Sequence, residues 1–159
     1  MATDIFLTLE GIKGESIDDK HKEAIDVVSW SWGLSNEGTF HSGSGGGAGK
    51  ANFQDISITK QVDKSSADLM YACASGKHIA KAQLFVRKAG EKPLEYLIFT
   101  LEEILVSSML TGSAQGQERA SESLTLNFAK VKMEYKIQDK SGSGKDGGTF
   151  TWNIPANVK

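Results

Sequence analysis

Apolar and polar residues alternate most sharply over Ile25-Asp26-Val27-Val28-Ser29-Trp30-Ser31-Trp32-Gly33-Leu34. A strand sends successive side chains to opposite faces, so Val28, Trp30, Trp32 and Leu34 are expected on one face and Ser29, Ser31 and Gly33 on the other. Indole rings dominate the energetics of a core, which assigns the first face to burial. The second face is too short and polar to pack inside. It looks at water, or at something held in water.

The same two-residue period recurs along the chain. Ile5, Leu7 and Leu9 alternate with Phe6 and Thr8, and Ile56 and Ile58 alternate with Asp55, Ser57 and Thr59. Gln83–Val86, Leu94–Leu101, Glu103–Leu110 and Phe150–Ile154 are rich in the branched and aromatic types that strands favour. The run Leu124-Leu126-Phe128 changes phase to Val131-Met133-Tyr135-Ile137, the signature of a bulge in a long strand. One helix is predicted, capped by Ser65 or Ser66, with Asp68 in its first turn and Gly76 as its stop. Leu69, Met70 and Cys73 form its apolar spacing. Many short strands with a single helix indicate a mainly β protein, a β-barrel or sandwich with the helix over one end. No internal repeat is visible, and residues 1–159 read as a single domain.

Composition narrows the function. The net charge is −2 and the pI about 5.9, which excludes the basic footprint of a nucleic-acid binder. A single cysteine, Cys73, excludes an intrachain disulfide and fits folding in a reducing cytoplasm. The N-terminus lacks the charged and apolar regions of a signal peptide. No run approaches the roughly 18 apolar residues of a membrane span. Export, if it occurs, is expected by another route than general secretion.

No coherent active site emerges. Ser44–Lys50 approaches a phosphate-binding loop, but Ser44 stands where glycine is needed and Ala51 where Ser or Thr is needed. A strand follows instead of a helix, so no nucleotide is expected. His21, His41 and His78 are too scattered to form a zinc site with Cys73. Cys73 on an apolar helix face reads as a small buried hydrophobe. Asp18-Asp19 and Glu102-Glu103 diverge as neighbours in an extended chain and read as solvated charge. Lys77, Lys81, Arg87 and Lys88 form a modest basic cluster, balanced by Glu91, Glu95, Glu102 and Glu103. It serves either opposite edges of a subunit or general solubility. Ser42–Gly49, Thr111–Gln117 and Ser141–Gly148 are Gly/Ser-rich and predicted to be loops.

Several of these segments together resemble the haemolysin-coregulated protein (Hcp) family, the exported tube component of bacterial type VI secretion. The matching pieces are Asp4-Ile5-Phe6-Leu7, Gly14-Glu15-Ser16, His21, Ile25–Gly33, Gly45–Lys50, and Cys73 with Ser75–His78. Arg87–Gly90, Leu105–Ser108, Leu124–Ala129 and Trp152–Ile154 follow in the family's order. The resemblance runs nearly end to end. It implies a homohexameric ring, rings stacked into a hollow tube, a spike protein at the tip, a contractile sheath outside, and small effector proteins carried and protected in the lumen. It implies a structural role with no catalytic residue, metal or cofactor, and a protein that is cytoplasmic before export.

Combined with the alternation, it makes Ser29, Ser31 and Gly33 the candidate lumen face. By the same resemblance, the stretch marked by Phe40, His41, Ser42, Gly43, Gly45, Gly46, Gly47 and Lys50 is a candidate loop reaching toward neighbouring subunits. Only Pro155–Lys159 follows the last strand, which leaves no room for a fused toxin domain. Ser113–Gln117 departs from the glycine-richer pattern of many relatives. Two other readings stay open: a monomeric β-barrel binding a small apolar ligand between Trp30 and Trp32, and an enzyme using Cys73 or a carboxylate pair.

Overall fold

The computed structural model describes residues 3–38, 40, 49–141 and 144–159. The described elements are β1 (Thr3–Leu9), β2 (Ile25–Asp26), β3 (Ser29–Ser31), β4 (Leu34–Ser35), β5 (Asn52–Phe53), β6 (Ile56–Gln61), α1 (Ser66–Ser75), β7 (His78–Lys88), β8 (Leu94–Gly112), β9 (Ser121–Gln138) and β10 (Gly144–Asn153). The main sheet has eight strands in the order β2-β1-β7-β8-β9-β6-β3, with β10 beside β9, while β4 and β5 form a separate two-stranded arm. The sheet curls until one short segment is bonded to both of its ends. There the Val27 N–H donates to the Ile5 carbonyl at 3.0 Å and the Val28 N–H to the Thr59 carbonyl at 2.8 Å. The expected mainly β fold with one helix is thus a curled half-barrel. Its interior holds Leu7, Ile25, Ile58, Leu69, Leu84, Leu101, Ile104 and Leu126.

The phase change in β9 is real, from buried Phe128 to buried Val131. It is not an extra residue in β9, because Ile104↔Phe128 and Leu101↔Val131 keep one register. Ile79 and Ala82 in β7, and Leu101 and Ile104 in β8, change phase at the same level. Glu103 has φ 57° there, a left-handed backbone that breaks the alternation. Three neighbouring strands therefore turn over together, and this is the bend that curls the sheet. The true register shifts lie at Tyr96 and Ser107 in β8 and at Gly147 in β10.

The tryptophan segment differs from its expected form. It is not one strand: β3 ends at Ser31 and β4 begins at Leu34 in the other sheet. Trp30 and Trp32 do pack against the core, but Val28 is 61% and Leu34 49% exposed. The Trp32 indole N–H donates to the Gln54 carbonyl (2.9 Å) and the Gln54 N–H to the Gly33 carbonyl (3.0 Å), which carries the chain from sheet to arm. Val28 and Leu34 lie on either side of the ordered strand and lose the shared face.

The helix forms over Ser66–Ser75 and stops at Gly76, whose φ of 67° suits glycine. Ser65 precedes it without a side-chain cap, since its hydroxyl donates to Asp63 Oδ1 at 2.5 Å. Leu69 and Ala72 point inward and Cys73 is half-buried against the core, whereas Met70 is exposed. A second difference is β10, which begins inside a predicted loop. A Cβ on Gly147 would meet Tyr135 Cδ1 at 2.6 Å, and one on Gly144 would meet Leu94 Cδ1 at 2.8 Å. The glycines there let an edge strand lie close over β9.

Two residues take partners that the sequence did not assign to them. Arg87, with only 9% of its side chain exposed, binds Asp18 at 2.7 Å and Asp4 at 3.1 Å, so it leaves the predicted surface cluster. His21 lies between Phe6 and Phe85, ring centroids 4.7 and 4.6 Å away, with Nε2 on the Glu95 carboxylate. Both contacts fasten the segment 10–24 to the sheet. The Arg87 guanidinium beside Asp18 holds its carboxyl at about 2, below the ordinary 3.8. A depressed folded pKa gives stability that is full above the unfolded pKa and lost as pH falls through the folded one. Asp18→Asn is therefore expected to be less stable than the wild type above about pH 4, with the difference shrinking toward pH 2 in urea melts.

Candidate functional site

Strand pairing extends the small polar face well beyond the three residues expected. Ser31 lies opposite Ser57, Ser57 opposite Thr125, and Thr125 opposite Ser108. The next row runs Ser29, Thr59, Ser123 and Leu110. Between these rows, on the other face, Trp30, Ile58, Leu124 and Met109 are in register and pack inward. A wall of hydroxyls thus spans β3, β6, β9 and β8, backed across its width by core side chains. Ser29 and Ser31 are exposed on it as predicted. Gly33 is not on it. It lies past β3, half-buried, where a Cβ would meet Gln54 Oε1 at 3.4 Å.

The wall is organised by its own hydrogen bonds. The extra residue in β8 presents two serines to one threonine: Ser107 Oγ is 2.7 Å and Ser108 Oγ 2.6 Å from Thr125 Oγ1. Ser107 also donates to Asp55 Oδ2 at 2.7 Å, and Asn127 Nδ2 donates to Asp55 Oδ1 at 2.9 Å. The one carboxylate at this margin is therefore engaged. Apart from the exposed Leu110, the remaining side chains of the two rows are short, neutral and able both to donate and to accept. Such a surface offers weak, reversible polar contact over a broad area. Among the described residues no group of three or more His, Cys, Asp or Glu is placed to hold a metal ion.

Behind one end of the wall lies a buried ion pair that sequence reasoning missed. Lys60 and Glu122 are register partners in β6 and β9, with 0% and 1% of their surface exposed. Lys60 Nζ donates to Glu122 Oε2 at 2.6 Å and to Asp63 Oδ1 at 3.1 Å. Ser66 Oγ donates to the same Glu122 oxygen at 2.8 Å and accepts from the Asp63 N–H at 3.0 Å. Buried charges are tolerated only when paired and hydrogen bonded, as both are here. The network ties the first turn of α1 to the strands that carry Thr59 and Ser123. The only signal in the sequence was charge at two inward positions of otherwise alternating strands.

Of the candidate loop, Phe40 is 79% exposed and Lys50 is also exposed. His41, Ser42, Gly43, Gly45, Gly46 and Gly47 lie outside the described residues. The base of this loop is held where Asn36 Nδ2 donates to the Gly49 carbonyl at 2.6 Å, next to the β4–β5 arm.

The comparisons with known proteins agree in one direction. The family described as "Type VI secretion system effector, Hcp" matches residues 6–135. The chain is 53% identical to Protein hcp1 of Pseudomonas aeruginosa over 162 aligned positions, covering 100% of this chain and 99% of that protein. Hcp1 from Salmonella typhimurium, known from a crystal structure, is 40% identical, with a TM-score of 0.80 and 99% of each chain covered. A further solved type six secretion system protein is 31% identical, with a TM-score of 0.90 over 98% of each chain. No helix among the described residues is long and apolar enough to cross a membrane. The chain belongs to the Hcp family of type VI secretion, a secreted structural tube-protein family and not a family of enzymes.

Proposed function

We propose that this chain is the subunit of a type VI secretion tube. Six copies close into a ring, rings stack into a hollow tube, and a contracting sheath drives the tube outward beneath a spike. Small effector proteins travel in the bore. The chain is made in the cytoplasm and leaves by this route. Ring closure needs a heterologous contact, one edge of a subunit against a different edge of the next, and repetition of the same logic along the axis gives an open stack. The segment around Phe40 and Lys50 reaches toward a neighbouring subunit, where the exposed Phe40 ring would lose its contact with water.

The observation that carries this reading is the hydroxyl wall. It is broad, uncharged apart from the engaged Asp55, and set on a sheet whose other face is packed core. We assign it to the lumen, where short side chains leave the bore open and hold cargo without trapping it. Ser31 lies in the row that continues through Ser57, Thr125 and Ser108, so a longer side chain there projects over the wall. Ser31→Gln is expected to weaken effector retention about tenfold, roughly 1.4 kcal/mol, with ring assembly unchanged. Pull-down of an effector together with light scattering reads both. Equal retention across Gln variants at Ser31, Ser57 and Ser123 places the lumen elsewhere.

A further inference from the structure

We propose that the outer face of β8, β9 and β10 docks into an acidic cleft on a second copy of this chain, with Lys130 and Lys132 of one copy entering between Glu15 and Asp26 of the next. This rests on the reading of the chain as a self-assembling subunit, and it adds which surfaces meet.

The donor side is a groove of about 340 Å³ lined by Thr100, Glu102, Lys130, Lys132, Trp152 and Lys159 among others. Lys130 is in register with Glu102 on one side and Asn153 on the other, and Lys132 with Thr100 and Thr151, so both lysines stand on the same face. The groove holds more donors than acceptors. Lys132 reaches Glu134 at 3.4 Å, with both side chains partly exposed, and among the described residues no ion pair involves Lys130.

The acceptor side is a cleft of about 370 Å³ lined by Glu15, Asp26, Gln61, Asp63 and Arg119 among others. Asp63 is committed to Lys60 at 3.1 Å, and Glu15 is held at 3.7 Å from Arg119. Among the described residues Asp26 enters no ion pair. Partial burial, followed by the neighbouring charge of Asp63, raises its pKa against the opposing pull of Arg119, so an incoming cation meets a carboxylate without an ion-pair partner. Within one subunit the two surfaces are far apart. Gln61 of the cleft pairs with Ser121 at the start of β9, and Lys130 lies further along the same strand. At about 3.3 Å per residue that is roughly 30 Å of strand. Two complementary surfaces that cannot meet in one chain suit a heterologous contact between copies, which repeats around a ring or along a stack. Charge complementarity within the chain itself selects a second copy over an unrelated partner.

The test uses the full chain and two charge-reversed variants, Lys130→Glu/Lys132→Glu and Glu15→Lys/Asp26→Lys, each checked for folding by near-ultraviolet circular dichroism. Assembly is read by light scattering and electron microscopy. Each variant alone is expected to assemble at least about a hundredfold less tightly than the wild type. An equimolar mixture is expected to recover, because alternating variants restore every contact. Wild-type-like assembly of either folded variant alone overturns the proposal, and so does a mixture that stays dissociated. A wild-type chain that never assembles refutes the subunit reading itself, a separate outcome.

Discussion

Glu122→Leu alone is expected to destabilise the protein by about 3–5 kcal/mol, because it leaves the Lys60 ammonium buried without its main counter-charge. The pair is fully enclosed, with Lys60 0% and Glu122 1% exposed. Asp63 at 3.1 Å offers a second carboxylate, so Lys60 is not stripped of every partner. The Asp63 position is itself fixed by Ser66 and Ser65, however, and it cannot close over the vacated site. Lys60→Met combined with Glu122→Leu is expected to recover only part of the loss, since it removes the stranded ammonium but leaves the largely buried Asp63 carboxylate without its cation. Urea unfolding of the wild type, both single variants and the double variant measures this directly. A loss in the double variant equal to the sum of the two single losses would show that the pair is not energetically coupled. The consequence for function is local. The network anchors α1 to β6 and β9 behind Thr59 and Ser123, so losing it loosens one end of the hydroxyl wall.

Trp32→Ala is expected to cost about 3 kcal/mol, at the low end for removal of a large aromatic side chain because the ring is only partly buried. Its ring lies against Phe53, Phe99, Phe128 and Phe150, with centroids 6.2, 5.8, 6.2 and 6.5 Å away. Those four rings belong to β5, β8, β9 and β10, so this one side chain joins the two-stranded arm to the main sheet. Trp32→Phe keeps the ring and loses the hydrogen bond to Gln54, and should cost about 1 kcal/mol. Guanidinium denaturation followed by circular dichroism separates the two values. The same aromatic cluster bears on the ligand-binding alternative, because the space around Trp32 is occupied by the protein's own rings.

Much of the architecture was legible in local pattern. The alternation around Trp30 placed Ser29 and Ser31 outward and both tryptophans inward, and Leu69 with Gly76 located the helix and its end. Local pattern failed where a distant partner decided the outcome. Trp32 lies past the strand, where its indole binds Gln54, and Val28 lies before it, at the closure with Thr59. Arg87 found Asp18 and Asp4 across 69 and 83 positions of chain, which no window of neighbours reveals. The start of β10 was hidden by glycines whose role is close packing over Tyr135 and Leu94. The candidate wall was half visible for the same reason. Ser57, Thr59, Ser123 and Thr125 each alternate with apolar residues, but only strand pairing sets them beside Ser29 and Ser31.

The central claim, that this chain builds a hollow tube, is tested most directly by negative-stain electron microscopy of the purified protein. Uniform sixfold rings with an open centre, alone or in stacks, are the predicted result. Featureless single particles at high protein concentration would contradict it and leave a monomeric β-rich binding module in its place.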